Sequence, residues 1–150
     1  MRNVKGELKF NSPAQEMHEP DKMVETTRIG GKIYEIDKLR SLAEKLPIRE
    51  LPLDDVRDAV GEGHVYWIDR NGEPLAPFQI IHDWSVAQHN EDWKDHIDSI
   101  TRANLDNPIW ITKDGFVFDG IHRLTRAVIE NKLTIKVKVF EEFPEAALQN

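Results

Sequence analysis

The sequence predicts a small α/β (α+β) domain in which a mixed sheet is flanked by helices. Three observations lead to this prediction. Between residues 108 and 140 the apolar pattern changes from short strand-like runs to a helical period, and then to strand alternation. Upstream, short apolar runs and amphipathic stretches follow one another along the chain. With 150 residues, 39% hydrophobic and 31% charged, the composition is that of an ordinary soluble domain.

Residues 108–140 carry the clearest pattern. Two β-prone runs, 109–111 and 116–118, are predicted strands on either side of a turn. From Ile121 the apolar positions follow a helical period as far as about residue 131. Residues 135–139 then alternate valine or isoleucine with lysine, which is typical of a half-buried strand. The order is therefore strand, turn, strand, loop, helix, strand.

The upstream half is predicted as a series of shorter elements. Strands are expected at 32–36, 48–51, 64–68 and 77–81, the last two joined by the hairpin signal Asn71-Gly72. Helices are expected after the capping side chains of Asp37, Asp54 and Asn90. The third helix is the clearest of the three, because its apolar face recurs at Trp93, Ile97 and Ile100.

The first 25 residues lack an apolar period. They are polar and contain two prolines, so residues 1–25 are predicted to be a flexible N-terminal arm and residues 26–150 to form the domain. No apolar run approaches the length of a membrane span, and there is no cysteine. These absences predict no membrane partner, no disulfide or thiolate chemistry, and a cytoplasmic location.

The charge is uneven. The net charge is −7, from 20 basic and 27 acidic residues, so a broad nucleic-acid surface is not expected. Residues 119–138 nevertheless hold five bases and two acids, while residues 83–98 hold five acids and one base. A basic patch within an acidic protein favours a small anionic ligand over a duplex, although ordinary surface charge is the alternative interpretation.

The loop Asp119-Gly120-Ile121-His122-Arg123 is the predicted anion-binding site. Backbone N–H groups at a helix start favour an anion, and a glycine lets a ligand approach the backbone closely. His122 and Arg123 fall in the first helical turn, where cations oppose the helix dipole unless an anion lies between them. Arg126 follows on the same side as His122. The alternative is that Asp119 caps the helix while His122 and Arg123 pair with acids elsewhere.

The stretch from Asn107 to Ala127 resembles the ParB/sulfiredoxin superfamily, in which a strand, "DG", a second strand and "DGxHR" open a helix. The likeness extends weakly back to residues 48–56. It implies that Gly120, His122 and Arg123, with Arg126 beside them, bind the phosphates of ATP or CTP with Mg²⁺. Activities in that superfamily range from CTP hydrolysis on DNA to ATP-dependent cysteine repair, serine phosphorylation and reported nucleases.

This chain also departs from that superfamily. Sulfiredoxins have a catalytic cysteine where Ile121 stands, so their reaction is not expected. The chain ends soon after its last predicted strand, so the helix-turn-helix domain of a usual partition clamp is not expected either. The segment Asp83–Asp106 is not shared with well-known members. If phosphate is transferred, Asp119 and Glu50 are the predicted catalytic carboxylates and Asp119 the predicted Mg²⁺ ligand; Asp54 and Asp83 are further candidates.

The remaining chemistry-bearing side chains are histidines and tryptophans. The histidines at 82, 89, 96 and 122 suggest a metal or nuclease site, but no metal-binding spacing is present, so surface or core-edge histidines are the favoured interpretation. Trp84 and Trp93 suit base stacking, yet are favoured as core anchors. Three function hypotheses follow: a nucleotide-binding domain with hydrolysis or phosphoryl transfer, a DNA-associated accessory or nuclease protein of a mobile element, and a non-catalytic protein-interaction module.

Overall fold

The computed structural model describes residues 26–29 and 32–141, and there the predicted α+β class is confirmed. The strands are β1 (Thr26–Ile29), β2 (Lys32–Glu35), β3 (Arg49–Pro52), β4 (Trp67–Ile68), β5 (Pro74–Leu75), β6 (Ile109–Thr112), β7 (Val117–Asp119) and β8 (Thr134–Phe140). The α-helices are α1 (Ile36–Glu44), α2 (Pro77–Ile81), α3 (Trp84–Ala87), α4 (Lys94–Arg102) and α5 (Ile121–Ile129). Short 3₁₀ turns span Leu53–Asp55, Arg57–Val60 and Glu91–Trp93.

The main sheet has four strands in the order β3-β8-β6-β7. Strands β6 and β8 are parallel, and β7 and β3 run antiparallel to their neighbours at the two edges. Helix α5 connects β7 to β8, so the predicted strand–turn–strand–loop–helix–strand order over residues 108–140 is confirmed. Hairpins β1–β2 and β4–β5 form two further two-stranded sheets.

Both faces of the main sheet are covered. Helix α5 and the first two 3₁₀ turns pack on one face, around the fully buried Ile109, Leu124 and Val137. Helix α1 covers the other face, where Trp110 and Phe118 lie beside Leu39. The alternation predicted for β8 follows from this arrangement, because its side chains point to the two faces in turn.

A second apolar cluster lies on the far side of α5. It is built from the β4–β5 hairpin and from helices α2, α3 and α4, with Trp67, Leu75, Ile80 and Ile100 buried. Ile121 of α5 packs against both clusters. Helix α5 therefore lies between two cores, and the position of its first turn depends on both.

The prediction of a strand over residues 77–81 is wrong, because these residues form α2. Pro77 occupies the first helical position, where a missing N–H costs nothing. The Gln79 side chain accepts a hydrogen bond from the Ala76 N–H at 2.9 Å, which satisfies a backbone donor at the helix start. The hairpin at Asn71-Gly72 is confirmed, but its second strand is the two-residue β5.

Other predicted boundaries also change. Helix α1 begins at Ile36 after Glu35, so Asp37 lies in its first turn and is not the cap. Residues 54–60 form 3₁₀ turns instead of a capped α-helix, and the strand predicted at 64–68 shortens to β4. Asn90 caps the 3₁₀ turn Glu91–Trp93 that precedes α4, since its side chain accepts from the Asp92 N–H at 2.9 Å; α4 itself has Trp93 at its N-cap position and no side-chain cap. The predicted arm 1–25 lies outside the described residues.

Within the described ranges, no helix is both long enough and apolar enough to span a membrane.

Candidate functional site

The predicted loop joins the end of β7 to the start of α5. Gly120 has a left-handed φ of 103°, and its carbonyl accepts the first intrahelical bond, from the Leu124 N–H, at 2.9 Å. A Cβ at this position would lie 2.5 Å from Cγ2 of Ile109. The direction in which a side chain would project is therefore filled by strand β6. Glycine is required at this position because α5 packs closely on strand β6. From the sequence, the glycine was expected to allow the close approach of a ligand instead.

Arg123 ties the helix start to the segment before β6. Its Nη1 donates to the Pro108 carbonyl at 2.7 Å and to the Asn107 carbonyl at 3.4 Å. Its Nη2 donates to Oδ2 of Asp119 at 2.9 Å, and the arginine side chain is only 23% exposed. The alternative interpretation, in which Asp119 caps α5, is wrong, because Gly120 is the N-cap and no side chain caps the helix. The Asp119 carboxylate is used to neutralise Arg123 instead.

His122 turns to the opposite side, toward α4 and the β4–β5 hairpin. Its ring stacks on Trp67, with centroids 4.5 Å apart and planes 7° apart. His96 stacks on the same indole at 4.7 Å and 11°. The two imidazole centroids are 5.4 Å apart, too close for rings on opposite faces of an indole, so they lie side by side on one face.

The two histidines are hydrogen-bonded edge to edge. Nδ1 of His96 lies 3.1 Å from Nε2 of His122, and Nε2 of His96 lies 2.9 Å from the Ile68 carbonyl. A carbonyl only accepts, so Nε2 of His96 carries a hydrogen. In the neutral pair, Nε2–H of His122 then donates to Nδ1 of His96. We call His96 and His122 the histidine pair.

Arg126 lies on the same side of α5 as His122, as predicted, but it binds protein groups. Its Nη1 donates to the carbonyls of Thr101 and Ala103 at the end of α4, the former at 2.9 Å. Its Nε donates to Glu130 at 2.9 Å. Arg126 therefore places a cation at the C-terminal end of α4, where carbonyls lack helical partners, and holds α4 against α5.

The structure does not bring the two predicted catalytic carboxylates together. Glu50 is on β3 and Asp119 on β7, at opposite edges of the main sheet. Three strand spacings separate these edges, about 14 Å. In the described part of the chain, no three or more His, Asp or Glu side chains are grouped to hold a metal ion. Asp119 is paired with Arg123, and it does not form a Mg²⁺ site with other such side chains of the described residues.

An exposed ion pair lies next to the histidine pair. Arg70, in the β4–β5 turn, donates to both carboxylate oxygens of Asp95 at 2.9 and 3.1 Å. These hydrogen bonds hold the pKa of Asp95 below its ordinary value and raise the pKa of Arg70. Asp95 precedes His96, so this pair fixes the first turn of α4 against the hairpin that supplies Trp67.

Sequence interpretation missed Trp67. Trp67 fell within a predicted strand, whereas base stacking was considered only for Trp84 and Trp93. Both of these tryptophans pack against the second apolar cluster, which confirms their interpretation as core anchors. Of the four histidines considered, His82 and His89 are exposed and His96 and His122 form the pair. No local pattern connects residue 67 with 96 and 122, because the three come from separate elements.

Comparisons with protein-family models, curated proteins and solved structures found no match to this chain. The resemblance to the ParB/sulfiredoxin superfamily therefore stays a prediction that rests on the motif at residues 107–127.

Proposed function

We propose that this protein binds the phosphates of a nucleotide, ATP or CTP with Mg²⁺, at the start of α5. One observation carries the proposal: α5 begins at a left-handed glycine without a side-chain cap, and its first turn bears His122 and Arg123. The N–H groups of a helix start and its dipole attract an anion. Both side chains are fixed by neighbours, so the first turn keeps its shape before a ligand arrives.

Arg123 has two anchors with different roles in this proposal. Its Nη1 bond to the Pro108 carbonyl holds the guanidinium against the backbone, while Nη2 binds the Asp119 carboxylate. A carboxylate and a phosphate present the same kind of acceptor oxygen to an arginine. A phosphate oxygen takes the place of Asp119 on Nη2, and the Pro108 bond keeps the guanidinium in position during the exchange.

The other predicted site residues enter differently. Arg126 binds the end of α4, so it supports the α4–α5 contact and is not counted among the phosphate ligands. Glu50 lies at the far edge of the sheet and is left out. Mg²⁺ accompanies the nucleotide phosphates, with Asp119 released from Arg123 as a partner for the hydrated ion.

Isothermal titration at pH 7 with ATP, ADP and CTP, each with Mg²⁺, tests this proposal. Saturable binding is expected for at least one nucleotide, with amide NMR shifts concentrated at residues 120–123. Arg123→Gln removes a charged donor and is expected to weaken binding by about tenfold or more. Release of inorganic phosphate in the same samples reports whether hydrolysis follows binding.

Lys132→Gln is the matched control, since it removes one positive charge just beyond the other end of the same helix, where the side chain is half exposed. Its nucleotide affinity should stay within about twofold of the wild type, because an exposed charge at that distance is screened. The proposal fails if no nucleotide binds saturably, or if Arg123→Gln and Lys132→Gln bind equally well. Shifts confined to residues far from the loop would also overturn it.

A further inference from the structure

The turn between β4 and β5 contains an asparagine followed by a glycine, Asn71-Gly72. The backbone nitrogen that follows an asparagine can attack Cγ of its side chain and close a five-membered succinimide ring. A glycine leaves that nitrogen unhindered because it has no Cβ. Asn71 is the only asparagine of the sequence that precedes a glycine, so it is the asparagine whose next residue favours this reaction most.

The turn is open to solvent. Asn71 and Gly72 are both exposed, and no atom outside the neighbouring residues lies within 4 Å of a Cβ built on Gly72. The asparagines at two other turns are held differently. The side-chain oxygen of Asn90 accepts from the Asp92 N–H, and that of Asn104 from the Asp106 N–H, each at 2.9 Å. Their carboxamides are therefore used as caps.

One hydrogen bond engages the attacking nitrogen. The Gly72 N–H donates to the Asp69 carbonyl at 3.0 Å, and this bond must open before the nitrogen can reach Cγ. A single exposed hydrogen bond opens easily, because water replaces the lost acceptor. The Asp69 carboxylate holds the turn separately, through the N–H groups of Asn71 and Glu73 at 2.8 and 2.9 Å. Release of the Gly72 nitrogen does not require those two bonds to break.

The residue before Asn71 fastens the turn to the start of α4. The Arg70 N–H donates to the Asp92 carbonyl at 3.1 Å, and the Arg70 side chain donates to both carboxylate oxygens of Asp95. We call these contacts the Arg70 clasp. Both parts of the clasp depend on where the turn places Arg70, so they depend on the length of the backbone at residue 71.

We propose that Asn71 is a site of spontaneous deamidation in the folded protein, and that isoaspartate formed there releases the Arg70 clasp. The Gly72 nitrogen bonds to Cγ of Asn71, the Cγ–N bond of the carboxamide breaks, and ammonia leaves. Water then opens the succinimide. Attack at Cγ gives aspartate, and attack at the main-chain carbonyl carbon gives isoaspartate. Solvent water is the only co-reactant, and nothing is oxidised or reduced.

The two products differ in their backbone. Aspartate keeps the original chain and adds a negative charge. In isoaspartate the main chain runs through Cβ and Cγ, so it is one carbon longer between Arg70 and Gly72. The hydrogen bonds of Asp69 to residues 71 and 73 fit the shorter chain. Isoaspartate is therefore the product that displaces Arg70. This modification is independent of the proposed nucleotide site.

Mass spectrometry of the full-length protein, aged in ¹⁸O-water at pH 7 and pH 8, tests the modification. A glutamate-specific protease gives the peptide 63–73, in which Asn71 is the only asparagine. This peptide is expected to lose ammonia and gain one ¹⁸O, faster at pH 8 because the attacking nitrogen must lose its proton. The rate should lie within about tenfold of that in the urea-unfolded chain, since one exposed hydrogen bond opposes the reaction.

The other asparagines and one variant serve as controls. Peptides that contain Asn90 and Asn104 should stay unmodified in the folded protein. Asn71→Gln should abolish the change in peptide 63–73, because its longer side chain would have to close a six-membered ring. The modification is excluded if Asn71 reacts no faster than Asn90 and Asn104, or if Asn71→Gln shows the same change.

Amide hydrogen exchange of the separated products tests release of the clasp. The isoaspartate form is identified by enzymatic methylation of its free carboxylate. Its Arg70 amide should lose protection, whereas Asn71→Asp, which adds the charge without the extra carbon, should keep it. The Lys113 amide, bonded to the Phe140 carbonyl in the main sheet, should be unchanged in both. Release is wrong if the isoaspartate form keeps Arg70 protected, and the backbone explanation is wrong if Asn71→Asp loses protection equally.

Discussion

His122 and Arg123 are neighbours in one helical turn, yet they meet the helix dipole in opposite ways. Arg123 keeps its charge under all ordinary conditions, and the chain supplies a carboxylate and two carbonyls to accept from it. His122 lies among aromatic rings and a second imidazole. A cation in the first turn of a helix opposes the helix dipole. At Arg123 this electrostatic cost is removed by the carboxylate of Asp119. At His122 it is avoided whenever the ring is neutral.

The two residues therefore hold the first turn of α5 by different kinds of contact. The charge on Arg123 is constant, and its contacts hold α5 against the segment before β6. The histidine pair is held instead by stacking on Trp67 and by the hydrogen bond between its two rings. The first turn of α5 is therefore fixed on one side by a charged side chain and on the other by aromatic contacts.

The largest expected effect comes from Gly120, which starts α5 and so positions the side chains of His122 and Arg123. Gly120→Ala places an alanine in the left-handed region of backbone space, with its Cβ 2.5 Å from Cγ2 of Ile109. We expect unfolding free energy to fall by about 3 kcal/mol, as the sum of backbone strain and overpacking. Urea denaturation followed by circular dichroism measures the change.

Gly72→Ala is the matched control for this substitution. Its φ is also positive, +80°, but nothing lies within 4 Å of the added Cβ. Only the backbone cost applies there, about 1 kcal/mol. Equal losses in the two variants would mean that contact with Ile109 contributes nothing, and that α5 is not positioned by close packing at its start.

An intermediate effect is expected from removing the fixed charge. Arg123→Met keeps the apolar part of the side chain but loses the hydrogen bonds to Pro108 and Asp119. We expect a loss of about 2 kcal/mol in urea denaturation, because bonds from charged donors at a partly buried site are among the stronger ones. Arg57→Met, which breaks an exposed pair with Asp54 at 3.9 Å, should cost under about 0.5 kcal/mol. If Arg123→Met were as stable as the wild type, the hydrogen bonds of Arg123 would contribute nothing to the free energy of unfolding. The contrast drawn between Arg123 and His122 would then be wrong.

The smallest effect is expected beside the histidine pair. Arg70 lowers the pKa of Asp95 in the folded state, so Asp95 stabilises the fold above the ordinary titration range of an aspartate. This contribution is lost as the pH falls through that range and below. Thermal unfolding curves of wild type and Asp95→Asn should therefore differ at pH 7 and converge in acid. The difference at pH 7 should shrink in 1 M salt, because both side chains are exposed. A gap that persists in acid would point to a packing effect of the substitution.

Much of the fold could be predicted because its signals are local. The change of period at Ile121 and the alternation along β8 follow from the faces that those residues bury, and both were predicted. The segment 77–81 was mistaken for a strand because its apolar run is short and fits either element. A hydrogen bond from Ala76 to Gln79, together with Pro77, decided for a helix.

The sequence by itself determined that α5 starts at residues 120–121 and bears two basic side chains in its first turn, since period and composition are properties of consecutive residues. Only the tertiary structure decided how those side chains are used. Asp119 binds Arg123 instead of capping the helix, and Trp67 and His96 reach His122 from elements 26 or more residues away in the chain. Hydrogen bonds and ring stacking act over a few ångströms in space, and the packing of α5 between two cores sets which residues come that close.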